Sequence, residues 1–173
     1  MSYRKDLIKL IDKFNVEAVE EFKEAEMKII SDSSFRKMFR KHDYDGNMRK
    51  LKSIKKRAQK LDPRSVKVPE SDRETRELQK QFEKCMVVFS SVCDAYIQMQ
   101  LSLKEKSEGS GLQYKEYRLI HERVKAARAS LNEHMHDMDI LYSDFADITR
   151  GHDVEEEIEQ FGNIKVMTYE DLK

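Results

Sequence analysis

A cysteine thiol beside an imidazole can make a thiolate nucleophile or half of a metal site. Cys85 and His134 are the pair in this sequence that could do so. They lie in different segments, but the apolar periodicities of those segments set them level, with Met86, Met135 and Met138 nearby. A catalytic thiol also needs an electropositive, partly exposed setting and a third group to orient the base. No such group is placed by the sequence. The expectation is a core cysteine behaving as a small hydrophobe beside a hydrogen-bonded histidine.

Other chemistry-bearing residues are less complete. Glu133 and His136 form Glu-x-x-His, an element of di-iron carboxylate bundles, but those sites use two such pairs and two further carboxylates. Only one pair is present, and its phase puts it on the outer face of its helix. Asp43-Tyr44-Asp45-Gly46-Asn47 looks like part of a calcium loop. With Gly46 at loop position six, positions one and twelve would be Lys41 and Lys52, where oxygen ligands are required. The pentapeptide therefore reads as a turn. His121 followed by Lys125 lacks the lysine three residues later, and the small residue after it, that a histidine phosphotransfer helix presents; it reads as a solvated histidine. No metal, cofactor or enzymatic activity is expected.

The strongest signal is charge. Residues 36–67 hold 13 basic and 3 acidic side chains, whereas residues 133–173 hold 3 basic and 12 acidic ones, in a chain of zero net charge. Arg49, Lys50, Lys52, Lys55, Lys56, Arg57 and Lys60 crowd one helical segment, with Phe35, Phe39 and Tyr44 nearby. Such a face could bind a protein partner or a second copy, grip the phosphates of a nucleic acid, or lie on an anionic membrane surface. The bland alternative is neutralisation inside the protein, by the glutamates of the first helix or by the acidic tail.

Helices must position these groups. Leu78, Phe82, Cys85, Phe89, Val92, Tyr96, Met99 and Leu103 recur at steps of three and four, the seam of a helix packed along its length. Tyr117, Ile120, Val124, Ala127, Leu131, His134, Met138, Leu141, Phe145 and Ile148 continue the pattern. If the chain reverses near Gly109, opposed residue numbers add to a near-constant 219–220 over many turns. This predicts a long antiparallel hairpin over 71–151, each arm roughly 35 residues and on the order of 50 Å. Its expected signals are capping boxes at Ser71/Glu74 and Ser110/Gln113, Lys104 and Lys106 before Gly109, and Arg150-Gly151 at the end.

Upstream, Ser2 is placed to cap a helix of 25–28 residues with Leu7, Ile8, Ile11, Phe14, Ala18, Phe22, Ala25 and Ile29 on one face. Ser31–Ser34 interrupts it. A thinner amphipathic helix follows through Met48, Leu51, Ile54, Ala58 and Leu61, ending at Asp62-Pro63. Residues 63–70 read as an extended linker. After Gly151 a short separate helix is expected, then a strand-like 164–167 and a helix start at Thr168/Asp171.

The composition, 39% apolar and 38% charged with five glycines and two prolines, suits a slender helical bundle. The fold expected is all-α: an elongated three- or four-helix bundle over 1–151, with an acidic tail over 152–173. The two cysteines lie on one predicted helix about 12 Å apart and cannot bridge, which favours a reducing, cytoplasmic setting. No apolar leader or membrane span is evident. The function expected is a non-catalytic intracellular helical interaction module, with nucleic-acid binding through 36–67 as the alternative.

Overall fold

The computed structural model describes residues 2–32, 42–109 and 113–162, with side chains at 3–31, 42–109, 113–143, 145 and 146. Several expectations lie outside these residues: the pattern at Phe35, Met38 and Phe39, the caps at Ser2 and Ser110, the side chain of Ile148, the strand-like 164–167 and the helix start at Thr168. Every regular element that is described is helical. In order they are α1 (Ser2–Phe14), a π-helical stretch (Asn15–Glu20), α2 (Glu21–Asp32), α3 (Tyr44–Gln59), a 3-10 turn (Pro63–Ser65), α4 (Arg73–Ser107) and α5 (Tyr114–Gly162). The molecule is an all-α bundle, and no helix among the described residues is long and apolar enough to cross a membrane.

α4 and α5 form the expected antiparallel hairpin. Cys85 donates its thiol hydrogen to the His134 carbonyl at 3.0 Å, which fixes the pairing where the seam placed it. The seam residues of α4 are buried from Leu78 to Met99, with Phe82, Cys85, Phe89 and Val92 fully enclosed. The reversal begins at Gly109, whose φ of 97° is open to glycine without steric cost. Its amide and that of Glu108 close the last turn on the carbonyls of Lys106 and Lys104.

Three expected boundaries move. The cap of α4 is Asp72, not Ser71: its carboxylate accepts from the Thr75 amide at 3.2 Å and the Thr75 hydroxyl at 2.7 Å. The same carboxylate takes Arg4 Nε at 2.8 Å and Tyr3 Oη at 3.1 Å, so the cap also anchors α1. The residues around Gly46 are not a free turn but the start of α3, where Asp43 accepts from the Gly46 amide at 2.8 Å. A Cβ on residue 46 would stand 2.0 Å from the other oxygen of that carboxylate, Oδ2, so glycine keeps the cap intact. Finally, α5 does not end at Arg150-Gly151. It continues to Gly162, because one glycine inside a helix costs only about 1 kcal/mol and is no stop signal by itself. The separate short helix expected after Gly151 is thus the end of α5.

α1, the π stretch and α2 make one continuous rod, longer than expected at Ser2–Asp32. Its buried face packs on α4 through a ladder of aromatic rings: Phe82, Phe14, Phe89, Phe22 and Tyr96. Successive centroids are 5.4, 5.2, 5.6 and 5.5 Å apart, all edge-to-face. On α4 the rungs recur every seven residues, a rise of about 10.5 Å. On the rod, Phe14 and Phe22 are eight apart, which in an α-helix would rise about 12 Å. The π stretch lies between them, and its i→i+5 turns absorb the additional residue so that both rings reach Phe89. Asn15 starts this stretch with a buried Oδ1 that has no partner among the described residues.

Candidate functional site

α3 buries Met48, Leu51, Ile54 and Ala58 against the rod and α4. That apolar face fixes which way each of the seven cations points. Lys50 and Arg57, two turns apart on one flank, both reach Glu21 of α2. Lys50 Nζ lies 2.7 Å from Glu21 Oε2, and the two Arg57 Nη atoms fork onto both carboxylate oxygens. Lys55, on the other flank, meets Asp94 of α4 at 2.6 Å. Lys104 of α4 closes on Asp45, in the first turn of α3, at 2.9 Å. Half-exposed pairs of this kind add little stability each; the rotation of α3 about its axis is set by its buried apolar face.

The other four cations are left outward. At 3.6 residues per turn, Arg49, Lys56 and Lys60 fall within about 30° of the direction opposite the buried face, and Lys52 about 70° from it. All four are exposed, and no carboxylate among the described residues pairs with them. They form a stripe about 16 Å long by helical rise. The structure thus divides the predicted set: Lys50, Lys55 and Arg57 are neutralised internally, and Arg49, Lys52, Lys56 and Lys60 stand together facing solvent. Tyr44 is not part of the stripe; it is half-buried, its ring 5.5 Å from that of His42.

Arg57, and after it Lys50, hold the Glu21 carboxyl well down, at about 2 against an ordinary 4.5. A depressed carboxyl stabilises the fold above its unfolded value, and that contribution is lost as pH falls from about 4.5 towards 2. Between pH 5 and 2.5, Glu21→Gln should therefore lose less stability than the parent, as read from urea midpoints. A parallel fall in the two proteins would refute the linkage. Asp72 titrates in a similar window: burial pushes its carboxyl up, but Thr75, Arg4 and Tyr3 outweigh this and hold it at about 2.

The thiol–imidazole pair is level but does not form a dyad. Cys85 is fully buried, and burial, then the nearby Asp139 and Asp137, push its thiol up to about 12. Its hydrogen goes to the His134 backbone carbonyl, shared with Gln81 Nε2 at 3.1 Å. The His134 ring turns to its own helix, with Nδ1 3.0 Å from the Ser130 carbonyl. Such a thiol stays protonated near neutral pH and is poorly nucleophilic. Glu133, His136 and His121 are exposed.

A polar knot at the other end of the hairpin was not legible in the sequence. Glu26, 9% exposed, accepts from Tyr96 Oη at 2.5 Å and from Arg128 Nε at 2.9 Å. Arg128 also donates to Asn132 and lies over the Phe22 ring at 5.8 Å. Asn47 Nδ2 donates to Gln100 Oε1 at 3.0 Å between two buried side chains. Both groups border a cleft of about 630 Å³ with Ile29, Met99, Leu103 and Val124 on its apolar walls. Their mutual bonds already satisfy much of the polar wall.

No family model matches the chain, and neither curated proteins nor solved structures give a match.

Proposed function

We propose that this chain is a non-catalytic helical interaction module of the cytoplasm, a scaffold, adaptor or assembly subunit, and that it docks an acidic partner on the outer face of α3. The observation that carries this reading is the division of the basic helix: three cations are engaged within the fold, and four are aligned on one exposed stripe. Cations collected on one face favour oppositely charged surfaces and speed encounter with them. The enclosed, protonated Cys85 supports a non-enzymatic role.

Nucleic acid is the alternative, and it would draw on the same four cations. Among the described residues no exposed aromatic stands on the stripe for base stacking, and this favours the protein reading. Anisotropy titrations with a labelled oligoglutamate, a duplex and a single strand, at about 50 and 200 mM salt, separate the two. Binding of oligoglutamate that is lost in the Arg49→Glu/Lys52→Glu/Lys56→Glu/Lys60→Glu variant, but kept when exposed Lys80 and Lys84 are reversed, is the expected result. Tight duplex binding with a log–log salt slope near −3.6, as about four phosphate contacts would give, would move the assignment to nucleic acid.

A further inference from the structure

We propose that the acidic partner is a second copy of this chain, whose projecting α5 end docks along the α3 stripe. This rests on the reading of that stripe as a docking face and names what it takes. Arg4 marks one end of the bundle. Its guanidinium touches Asp72, the cap of α4, at 2.7 Å and lies over the Phe145 ring at 5.3 Å. The starts of α1 and α4 are therefore level with Phe145. α5 nevertheless continues to Gly162. Residues 147–162 carry it about 24 Å past that level by helical rise.

Those sixteen residues hold six carboxylates, Asp147, Asp153, Glu155, Glu156, Glu157 and Glu159, against the single cation Arg150. The segment is longer than the stripe of about 16 Å, so one helix end spans it. The two features cannot meet within one molecule while α5 stays helical. Lys55 pairs with Asp94, about 33 Å along α4 from Asp72, and α5 leaves the bundle at the Asp72 end, heading away from α3. Pairing between molecules is then heterologous, the acidic end of one on the basic flank of the next. Repetition of such a contact gives a ring where the rotation closes and an open chain where it does not. Salt shortens the reach of these charges from about 10 Å at 0.1 M to a few ångströms at 1 M, so assembly should dissolve as salt is raised.

The test is sedimentation velocity on the full chain and two charge-reversed variants. The stripe variant carries Arg49→Glu, Lys52→Glu, Lys56→Glu and Lys60→Glu. The end variant carries Glu155→Lys, Glu156→Lys, Glu157→Lys and Glu159→Lys. The parent should associate at about 50 mM salt and dissociate at about 500 mM, where the screening length is several-fold shorter than at low salt. Each variant alone should be monomeric, and an equimolar mixture should associate again, because each supplies the charge the other has reversed. A stripe variant with glutamine at all four positions keeps the test open if glutamates there disturb folding; it should lose association without poisoning the fold. A parent that stays monomeric at low salt, or a mixture that fails to re-associate, overturns the proposal. Retained stripe-dependent oligoglutamate binding would then show that only the choice of partner was wrong; its loss would remove the docking face as well.

Discussion

Phe89→Ala should lower the free energy of unfolding by about 3–5 kcal/mol, as other buried phenylalanine truncations do. Three features place it at the upper end of that range. The side chain has no solvent exposure, it is the middle rung of the aromatic ladder, and it alone contacts both Phe14 and Phe22 on the rod. Each edge-to-face pair adds roughly 0.5–1.5 kcal/mol beyond the area buried. A domain with about 5–15 kcal/mol in total would lose a large share. The measurement is a urea denaturation series in which the midpoint falls while the slope is unchanged. Val87, two residues earlier on the opposite face of α4 and 68% exposed, supplies the comparison: Val87→Ala should stay within about 0.5 kcal/mol of the parent. Similar losses for the two would mean that the ladder is not the core of the packing.

The second large effect is at the polar knot. Arg128→Met should cost about 2–4 kcal/mol, because it strips the Glu26 carboxylate, only 9% exposed, of its counter-ion. Removing one partner of a fully buried pair costs about 3–5 kcal/mol. The lower figure reflects the Arg128 side chain, 26% exposed, which admits some solvent. Glu26→Gln in the same chain should recover most of the loss. The amide oxygen still accepts from Tyr96, and no unpaired charge remains. A double-mutant cycle measures the coupling. If the double variant is as unstable as Arg128→Met alone, the damage comes from lost packing over Phe22 and not from the stranded carboxylate.

Where local periodicity alone decides the outcome, the sequence was readable. The three-four spacing from Leu78 to Leu103 and from Tyr117 to Phe145 defines two apolar faces, and a reversal at Gly109 then leaves one register, realised at Cys85 and His134. What stayed hidden depends on groups distant in sequence. Ser71 with Glu74 satisfies a local capping rule, but Asp72 prevails because it also bonds Arg4 and Tyr3, 68 and 69 residues earlier. The register could bring Cys85 level with His134 but could not say that the ring would choose the Ser130 carbonyl. Nor could the count of cations on α3 say which are engaged: that follows from where Glu21 and Asp94 stand once α3 is seated. The π stretch left no trace, since the spacing of Phe14, Ala18 and Phe22 suits an ordinary helix equally well.

That stretch has a consequence for how the rod is seated. Two rulers, one marked every seven residues and the other every eight, come into step over only a short length. Here the widened turns between Phe14 and Phe22 bring the marks together opposite Phe89. Were the rod to creep one notch along α4, Phe22 would pass beyond Tyr96 and find no further ring on α4, while Phe82 would lose Phe14. The irregular turn therefore works as an index pin. It gives the first helix a single stopping place on a smooth apolar groove that would otherwise accept several.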